Sequence, residues 1–509
     1  MGRTRAATFT RRGFLRTTGM GLAAVGLPLG GRAESDTPPT KPNFVLVFTD
    51  DQGYQDVGCF GSPRIRTPRL DALAREGMRF TSFYAQTVCG PSRAALMTGC
   101  YPLRVAKKGN RVEVHPRLHA REITLAEVLK GAGYATAAFG KWDLAGHTQN
   151  RFEPELMPNK QGFDTFFGTP TSNDRLVNLY RNDQLVEKSA DMNQLTRRYT
   201  DEAVAFLRAH KDKPLFLYLA HTMPHTRLGA SERFRGRSRR GLYGDVIEEI
   251  DWNVGRILDA IKELRLERRT YVIFTSDNGP WAIKGEHGGS AAPLRGAKTS
   301  TWEGGLRVPC IMWAPGRIPP AGTCDEIATT MDLLPTLARL AGARAPGDRV
   351  IDGHDISALM HGEKGATSPT KAFFYYQHTH LQAVRSGKWK LHLPRPARPP
   401  WAPNWSRHIR PEDVVEIKQP LLFDLEADIG ERHDVAAGHG EVVARLRKLA
   451  EQAREDIGDY NRVGRNARFF DAGPRRPDIR KGWPAAASSA RRKRGASGRA
   501  GGVESPPSR

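Results

Sequence analysis

The sequence predicts an α/β fold, a sheet covered by helices on both faces, with a smaller α+β domain after it. Short apolar runs of strand length alternate with helical patterns along most of the chain, the order that builds a sheet between two helical layers. Beyond about residue 370 the texture changes to closely spaced short strands around a tight turn. The residues best suited to chemistry follow directly on the apolar runs, at the strand ends where open α/β sheets hold their ligands.

In order along the chain, residues 34–42 (Glu-Ser-Asp-Thr-Pro-Pro-Thr-Lys-Pro) read as a linker. Apolar runs at 44–48, 135–139, 215–220, 271–275 and 308–313 read as buried strands. Residues 68–76, 124–131, 199–210, 245–264 and 331–340 show helical patterns. In the second domain 373–377, 381–385 and 389–393 read as antiparallel strands, the last two joined by a Ser386-Gly387-Lys388 turn. Residues 421–425 add a strand and 442–457 a closing amphipathic helix. These readings place a large domain at 43–370 and a small one at 371–472. They leave 473–509, rich in Arg, Ala, Ser, Gly and Pro, as a disordered basic tail.

The formal net charge of +23 is concentrated at the ends: residues 1–32 account for +6 and 473–509 for +8, leaving +9 for the body. That balance suits anionic ligands and does not call for nucleic acid. Five cysteines are an odd number and too few for a disulfide framework; Cys59, Cys100, Cys310 and Cys324 read as small buried side chains. Thr10-Arg11-Arg12-Gly13-Phe14-Leu15-Arg16 precedes a mild apolar stretch at 20–29. The segment 1–33 resembles a twin-arginine signal, cleaved near Ala33, and its apolar part is too short to span a bilayer stably. The twin-arginine export machinery is therefore an expected partner, and a periplasmic or secreted location the expected destination.

Cys89-Gly90-Pro91-Ser92-Arg93 lies where a loop feeds a helix, so backbone N–H groups and the Arg93 guanidinium face an incoming anion. Asp50-Asp51 ends the first strand, and adjacent carboxylates at a buried strand end repel unless a cation neutralises them. A second strand runs into Asp277-Asn278-Gly279. Two carboxylate-bearing strand ends and an amide carbonyl make an oxygen site for a hard divalent cation, Ca2+ or Mg2+. Further strand ends or loops carry Gly140-Lys141-Trp142, His221-Thr222-Met223-Pro224-His225 and the 294–309 block around Lys298.

Cys-x-Pro-Ser-Arg is the signature of the type I sulfatases, whose cysteine is oxidised to formylglycine by a generating enzyme. The chain resembles that family over roughly residues 42–460, with five motif blocks in the family's order. The resemblance implies an alkaline-phosphatase-like mixed sheet and a small C-terminal domain. It implies metal ligation by Asp50, Asp51, Asp277, Asn278 and the modified Cys89. Lys141 and Lys298 then contact the sulfate, and His225 protonates the leaving group. Arg93, the lysines and the cation offset charge on the sulfate oxygens in the transition state. A gem-diol at position 89 provides one hydroxyl to attack sulfur and a second whose deprotonation expels sulfate. His221 is expected to pack against its strand end, Glu303 and Arg307 to hold their loop, and His287 to line the pocket or shape its loop.

The chain departs from the family at Asp143, where histidine is usual. Either Asp143 is the base for sulfate release or His147, four residues on, takes that part; Asp143 is favoured. A phosphonate or phosphate ester hydrolase and an inactive sulfate-binding member are the competing readings. For substrate, Arg395, Arg398, Trp401 and Trp405, with His378 and His380, read as a surface able to grip a sulfated sugar, with aryl sulfates also accommodated.

Overall fold

The computed structural model describes residues 41–105, 118–149, 151–399 and 405–468. The export-signal segment, nearly all of the linker, Trp401 and the basic tail lie outside the described residues.

The large sheet is built from β1 (Asn43–Thr49), β2 (Met78–Tyr84), β3 (Ala135–Lys141), β4 (Thr165–Thr169), β5 (Leu179–Arg181), β6 (Gln184–Glu187), β7 (Leu215–Ala220), β8 (Thr270–Ser276), β9 (Arg307–Trp313), β10 (Gly322–Cys324) and β11 (Ala328–Thr329). Its order is β10-β2-β9-β8-β1-β7-β3-β4-β5-β6, with β11 also on β2. The five strands β8, β1, β7, β3 and β4 are parallel. β9 lies antiparallel to β8 and to β2, so the sheet is mixed. β1, β3, β7 and β8 therefore end on one edge, and β2 ends there too.

Alternation along β1 explains the layers. Phe44, Leu46 and Phe48 point to one face, where they meet Leu96 and Met97 of α2 (Cys89–Thr98), Leu125 of α3 (Leu125–Gly131) and Leu333 of α6 (Leu333–Leu340). Val45 and Val47 point to the other, against Leu70 of α1 (Pro68–Glu76), Tyr199 of α4 (Leu195–Ala209) and Ile250 of α5 (Gly241–Glu263). Each such buried side chain contributes about 1.5–3 kcal/mol. Pro68 opens α1 at a position where a missing N–H costs nothing, and the Thr124 side chain caps α3 through Glu127 N–H.

A second, antiparallel sheet joins β12 (Phe373–Gln377), β13 (His380–Ser386), β14 (Trp389–His392) and β15 (Leu421–Asp424). Leu446, Ala450 and Ala453 of α7 (Gly440–Asp456) share a core with Leu381, Ala383 and Leu391 of this sheet. The same core includes Tyr84, Leu306 and Met331 from the large part.

The expected strands and helices are all present. β2 was not anticipated, because Arg79, Thr81 and Ser82 break its apolar run; their side chains are the ones that leave the core or hydrogen-bond at its margin. Cys100, Cys310 and Cys324 are buried and Cys59 is half-buried, all four unpaired.

The two parts are joined through a dry ionic network. Glu303 accepts hydrogen bonds from Tyr84 (2.6 Å), Tyr375 (2.7 Å) and Lys390 (2.9 Å), with Arg307 at 3.4 Å. Lys390 also reaches Glu431 (2.8 Å), which accepts from the Glu303 backbone N–H (2.7 Å). Burial would raise the Glu303 carboxyl, yet Lys390, Arg307 and Arg385 hold it well below the usual range. Glu303→Ala would remove the acid shared by Arg307, Arg385 and Lys390, of which only Lys390 also contacts Glu431. It is expected to cost about 3–5 kcal/mol in urea unfolding; a loss under about 1 kcal/mol would show that the network does not hold the parts together.

Candidate active site

The edge where β1, β3, β7 and β8 end collects the charged residues. β1 runs into Asp50 and Asp51, β3 ends in Lys141, β7 leads to His221 and His225, and β8 leads to Asp277 and Asn278. β2 leads through 85–88 into α2, whose first residue is Cys89. Arg93 lies one turn on, on the same helix face. Asp50 N–H donates to Met223 O (3.2 Å) and Asp277 N–H to Thr49 O (3.1 Å), so the backbone fixes both carboxylates.

Cys89 Sγ lies 3.1 Å from Asp50 Oδ1, 3.6 Å from Asp51 Oδ1 and 3.2 Å from Lys298 Nζ. Lys298 also pairs with Asp51 Oδ1 at 2.6 Å, and Lys141 pairs with Asp50 Oδ2. Arg93 donates to Asp277 Oδ2 (2.8 Å), Asp50 Oδ2 (3.2 Å), Lys141 O (2.8 Å) and Tyr218 Oη (3.2 Å). Its fully buried guanidinium thus clamps two carboxylates together. Asn278 Nδ2 donates to Asp51 Oδ1 at 2.7 Å. His225 Nε2 lies 3.7 Å from Asp51 Oδ2.

Electrostatics follow from burial and neighbours. Burial would raise Asp50, but Lys141, His225, Arg93 and Lys298 hold it well below the usual carboxylate range. Burial pushes Asp51 up to about 7 against the pull of Lys298, with Asp50 and Asp277 adding to the rise. Asp277 is raised by burial and by Asp50. Burial, with Asp277 and Asp50, pushes the Cys89 thiol far up. Burial and the two lysines bring His225 down to about 3, and burial alone does the same to His221.

These residues fit a divalent cation. Asp51 Oδ2 and Asn278 Oδ1 are buried without a hydrogen-bond partner, and an orphaned pair of oxygens beside three carboxylates is what a hard cation satisfies. Asp50, Asp51, Cys89 and His225 each offer a donor atom, all within 4.8 Å of one another.

Asp50, Asp51, Cys89, Arg93, Lys141, His225, Asp277, Asn278 and Lys298, all inferred from the sequence, meet in this cluster. Asp143 is buried with positive φ (51°), beside His147 (3.4 Å), and acts electrostatically on Lys141. His221 is buried, and His287 is exposed. Two substrate-surface expectations need correction. Arg395 is buried and donates to Gln382 O and Leu393 O, facing the His392–Trp302 stack instead of the pocket. His380 is buried against Tyr460. Arg398 is exposed.

Three residues escaped the sequence reading. Asp174 Oδ1 lies 3.5 Å from His225 Nε2. The Trp281 ring sits 5.1 Å from the His225 ring and 4.7 Å from Lys298 Nζ. His408, from the second part, lies 6.0 Å from Trp281 and accepts at its carbonyl from Thr299 Oγ1 (2.9 Å). Trp281 was visible in principle, two residues past Gly279; Asp174 follows β4, a strand with no clear sequence signal.

The family model described as "Sulfatase" matches residues 42–343, and one described as "C-terminal region of aryl-sulfatase" matches 368–471. The chain is 37% identical over 495 residues to the steryl-sulfatase of Mus musculus, covering 79% of each chain. It is 36% identical over 474 residues to the N-acetylgalactosamine-6-sulfatase of Canis lupus familiaris, covering 84% of this chain and 87% of the relative. Among solved structures it resembles the PsFucS1 sulfatase from Pseudoalteromonas sp., with TM-score 0.69, 25% identity and 81% and 89% coverage.

Cation binding requires Asp51 to be ionised. Below about pH 7 the cation must displace a proton from it; above, it need not. Calorimetric titration with Ca2+ in two buffers of different ionisation heat is expected to show proton release near pH 6 that fades by about pH 8, with affinity rising over that interval. Affinity independent of pH across this range would contradict the assignment.

Proposed function

This chain belongs to the sulfatase family and is a sulfuric ester hydrolase, and from that premise we propose that it cleaves sulfated carbohydrates with residue 89 as nucleophile and a divalent cation beside it. The observation that carries the reading is the convergence of the buried Lys141, Lys298, Asp50 and Asp51 around Cys89. A cysteine held so firmly as a neutral thiol is a poor nucleophile, which supports its conversion to formylglycine.

Formylglycine at position 89 would supply a hydroxyl nucleophile, and a cation held by Asp50, Asp51, Asp277 and Asn278 would supply positive charge beside it. The protein's own groups do the remainder. Arg93 holds Asp50 and Asp277 in place by hydrogen-bonding to both, so the carboxylates need not reorganise during reaction. Lys141 and Lys298 stand ready to offset sulfate oxygens. His225 is neutral in the free pocket because burial and repulsion by Lys298 and Lys141 disfavour its protonated form. An arriving sulfate ester counters that repulsion and lets the imidazole hold a proton for the leaving oxygen. Asp143 is the base for sulfate release.

The pocket mouth favours carbohydrate over sterol. Around the half-buried Trp281 stand His225, His408 and Lys284, the last 4.0 Å from its ring, with Asp174 beside His225. A ring face edged by polar groups matches a sugar's C–H face and hydroxyls. Relatives named for N-acetylgalactosamine 6-sulfate chemistry point the same way.

Turnover of aryl sulfate, phosphate and phosphonate esters, measured side by side, tests the reaction. Sulfate is expected to be preferred, and Lys298→Ala to lower kcat/KM on it by about 10²–10³-fold. Preference for phosphonate would replace this reading. Among sulfated sugars, Trp281→Ala is expected to raise KM with kcat little changed.

A further inference from the structure

His147 and Asp174 connect the pocket to its surface. His147 lies on a short strand, Gly146–Thr148, whose carbonyl at 147 accepts from Ser172 N–H (3.2 Å), tying it to the segment that carries Asp174. Its Nδ1 is 3.4 Å from Asp143 Oδ1 and its Nε2 is 3.1 Å from Asp174 Oδ2. The imidazole is 56% exposed, the Asp143 side chain 2% and the Asp174 side chain 40%. The ring thus bridges a buried carboxylate and a half-exposed one.

The hydrogen count of that bridge is informative. A neutral imidazole carries one N–H, and ionised carboxylates carry none. The shorter contact, to Asp174, uses the hydrogen at Nε2. That leaves the Nδ1 lone pair facing a carboxylate oxygen of Asp143, an arrangement that is repulsive unless one more proton lies between them. Lys141, His225 and His408 also face the two carboxylates: Lys141 acts on both, and His225 and His408 on Asp174. Burial would raise the Asp174 carboxyl, yet its bond to His147 together with the charges of His225 and Lys141 holds it well below its usual range.

We propose that Asp143 and His147 form a proton relay between the buried pocket and water, with Asp174 as the positioning residue that fixes the His147 ring. The proposal rests on the sulfatase reading for what loads the proton onto Asp143. At rest the ring is an imidazolium flanked by two carboxylates. In the relay step it gives one proton to water, and the Asp143 O–H bond then breaks as Nδ1–H forms, which restores the imidazolium and the ionised Asp143. An aspartate at 143 is workable because the imidazole it lacks is supplied four residues on, at the surface.

Two readouts test this on the full-length, calcium-loaded protein. In histidine-selective ¹⁵N NMR at about pH 7, both ring nitrogens of His147 are expected to carry protons; the resonance is identified by its loss in His147→Gln. Asp143→Asn is expected to leave a neutral ring with one N–H, and Asp174→Asn to redistribute the tautomers. In turnover of an aryl sulfate, His147→Ala is expected to lower kcat about ten-fold or more with KM unchanged, and added imidazole to restore it. A neutral His147 indifferent to Asp143→Asn, full kcat in His147→Ala, or a loss that imidazole does not restore would each overturn the relay. Absence of sulfate ester turnover in the parent protein would instead sink the sulfatase reading, and the NMR result would still decide on the bridge.

Discussion

Three carboxylates, Asp50, Asp51 and Asp277, buried together at one edge of the sheet, are the constraint around which this molecule is arranged. Two like charges about 4 Å apart repel by about 4 kcal/mol at an effective dielectric near 20. The fold answers with three buried cations, Arg93, Lys141 and Lys298, each in contact with at least one of the acids. Acids and bases then balance one for one. A divalent cation would tip the balance to net positive, and the single negative charge of a sulfate monoester would offset part of that excess. Affinity for cation and for anion are thus two sides of one electrostatic account.

The geometry of the sheet makes this assembly possible. Parallel strands bring their ends to one edge, so residues far apart in sequence arrive together: Asp50 from β1, Lys141 from β3, His225 after β7, Asp277 after β8. Lys298 is the exception, since it sits on a loop. That loop is held from both sides. Thr299 N–H donates to Thr87 O (2.9 Å) beside the nucleophile helix, and Thr301 Oγ1 donates to Gln382 of the small sheet (2.8 Å). Glu303, two residues further, anchors the ionic network between the two parts. The small sheet therefore acts on the chemistry through the position of one lysine.

Legibility in the sequence followed chemistry and burial. The continuous apolar runs at 44–48 and 215–220 declared themselves, because a strand buried on both faces has no polar side. β2 did not, because Arg79 and Thr81 make it read as a loop, although it carries the chain to Cys89. Site residues next to those apolar runs were found from adjacency alone. Asp174 was missed because β4, which delivers it, has only a short Phe-Phe signal. Arg395 was misread because an arginine in a proline-rich stretch suggests solvent; the His392–Trp302 stack that seats it is formed only in three dimensions.

Mass spectrometry of the tryptic peptide 80–93, taken from protein made alongside a formylglycine-generating enzyme, tests the central claim most directly. The account predicts formylglycine at position 89, in proportion to sulfate ester turnover across preparations. Full turnover by protein whose residue 89 is entirely unmodified cysteine would contradict it.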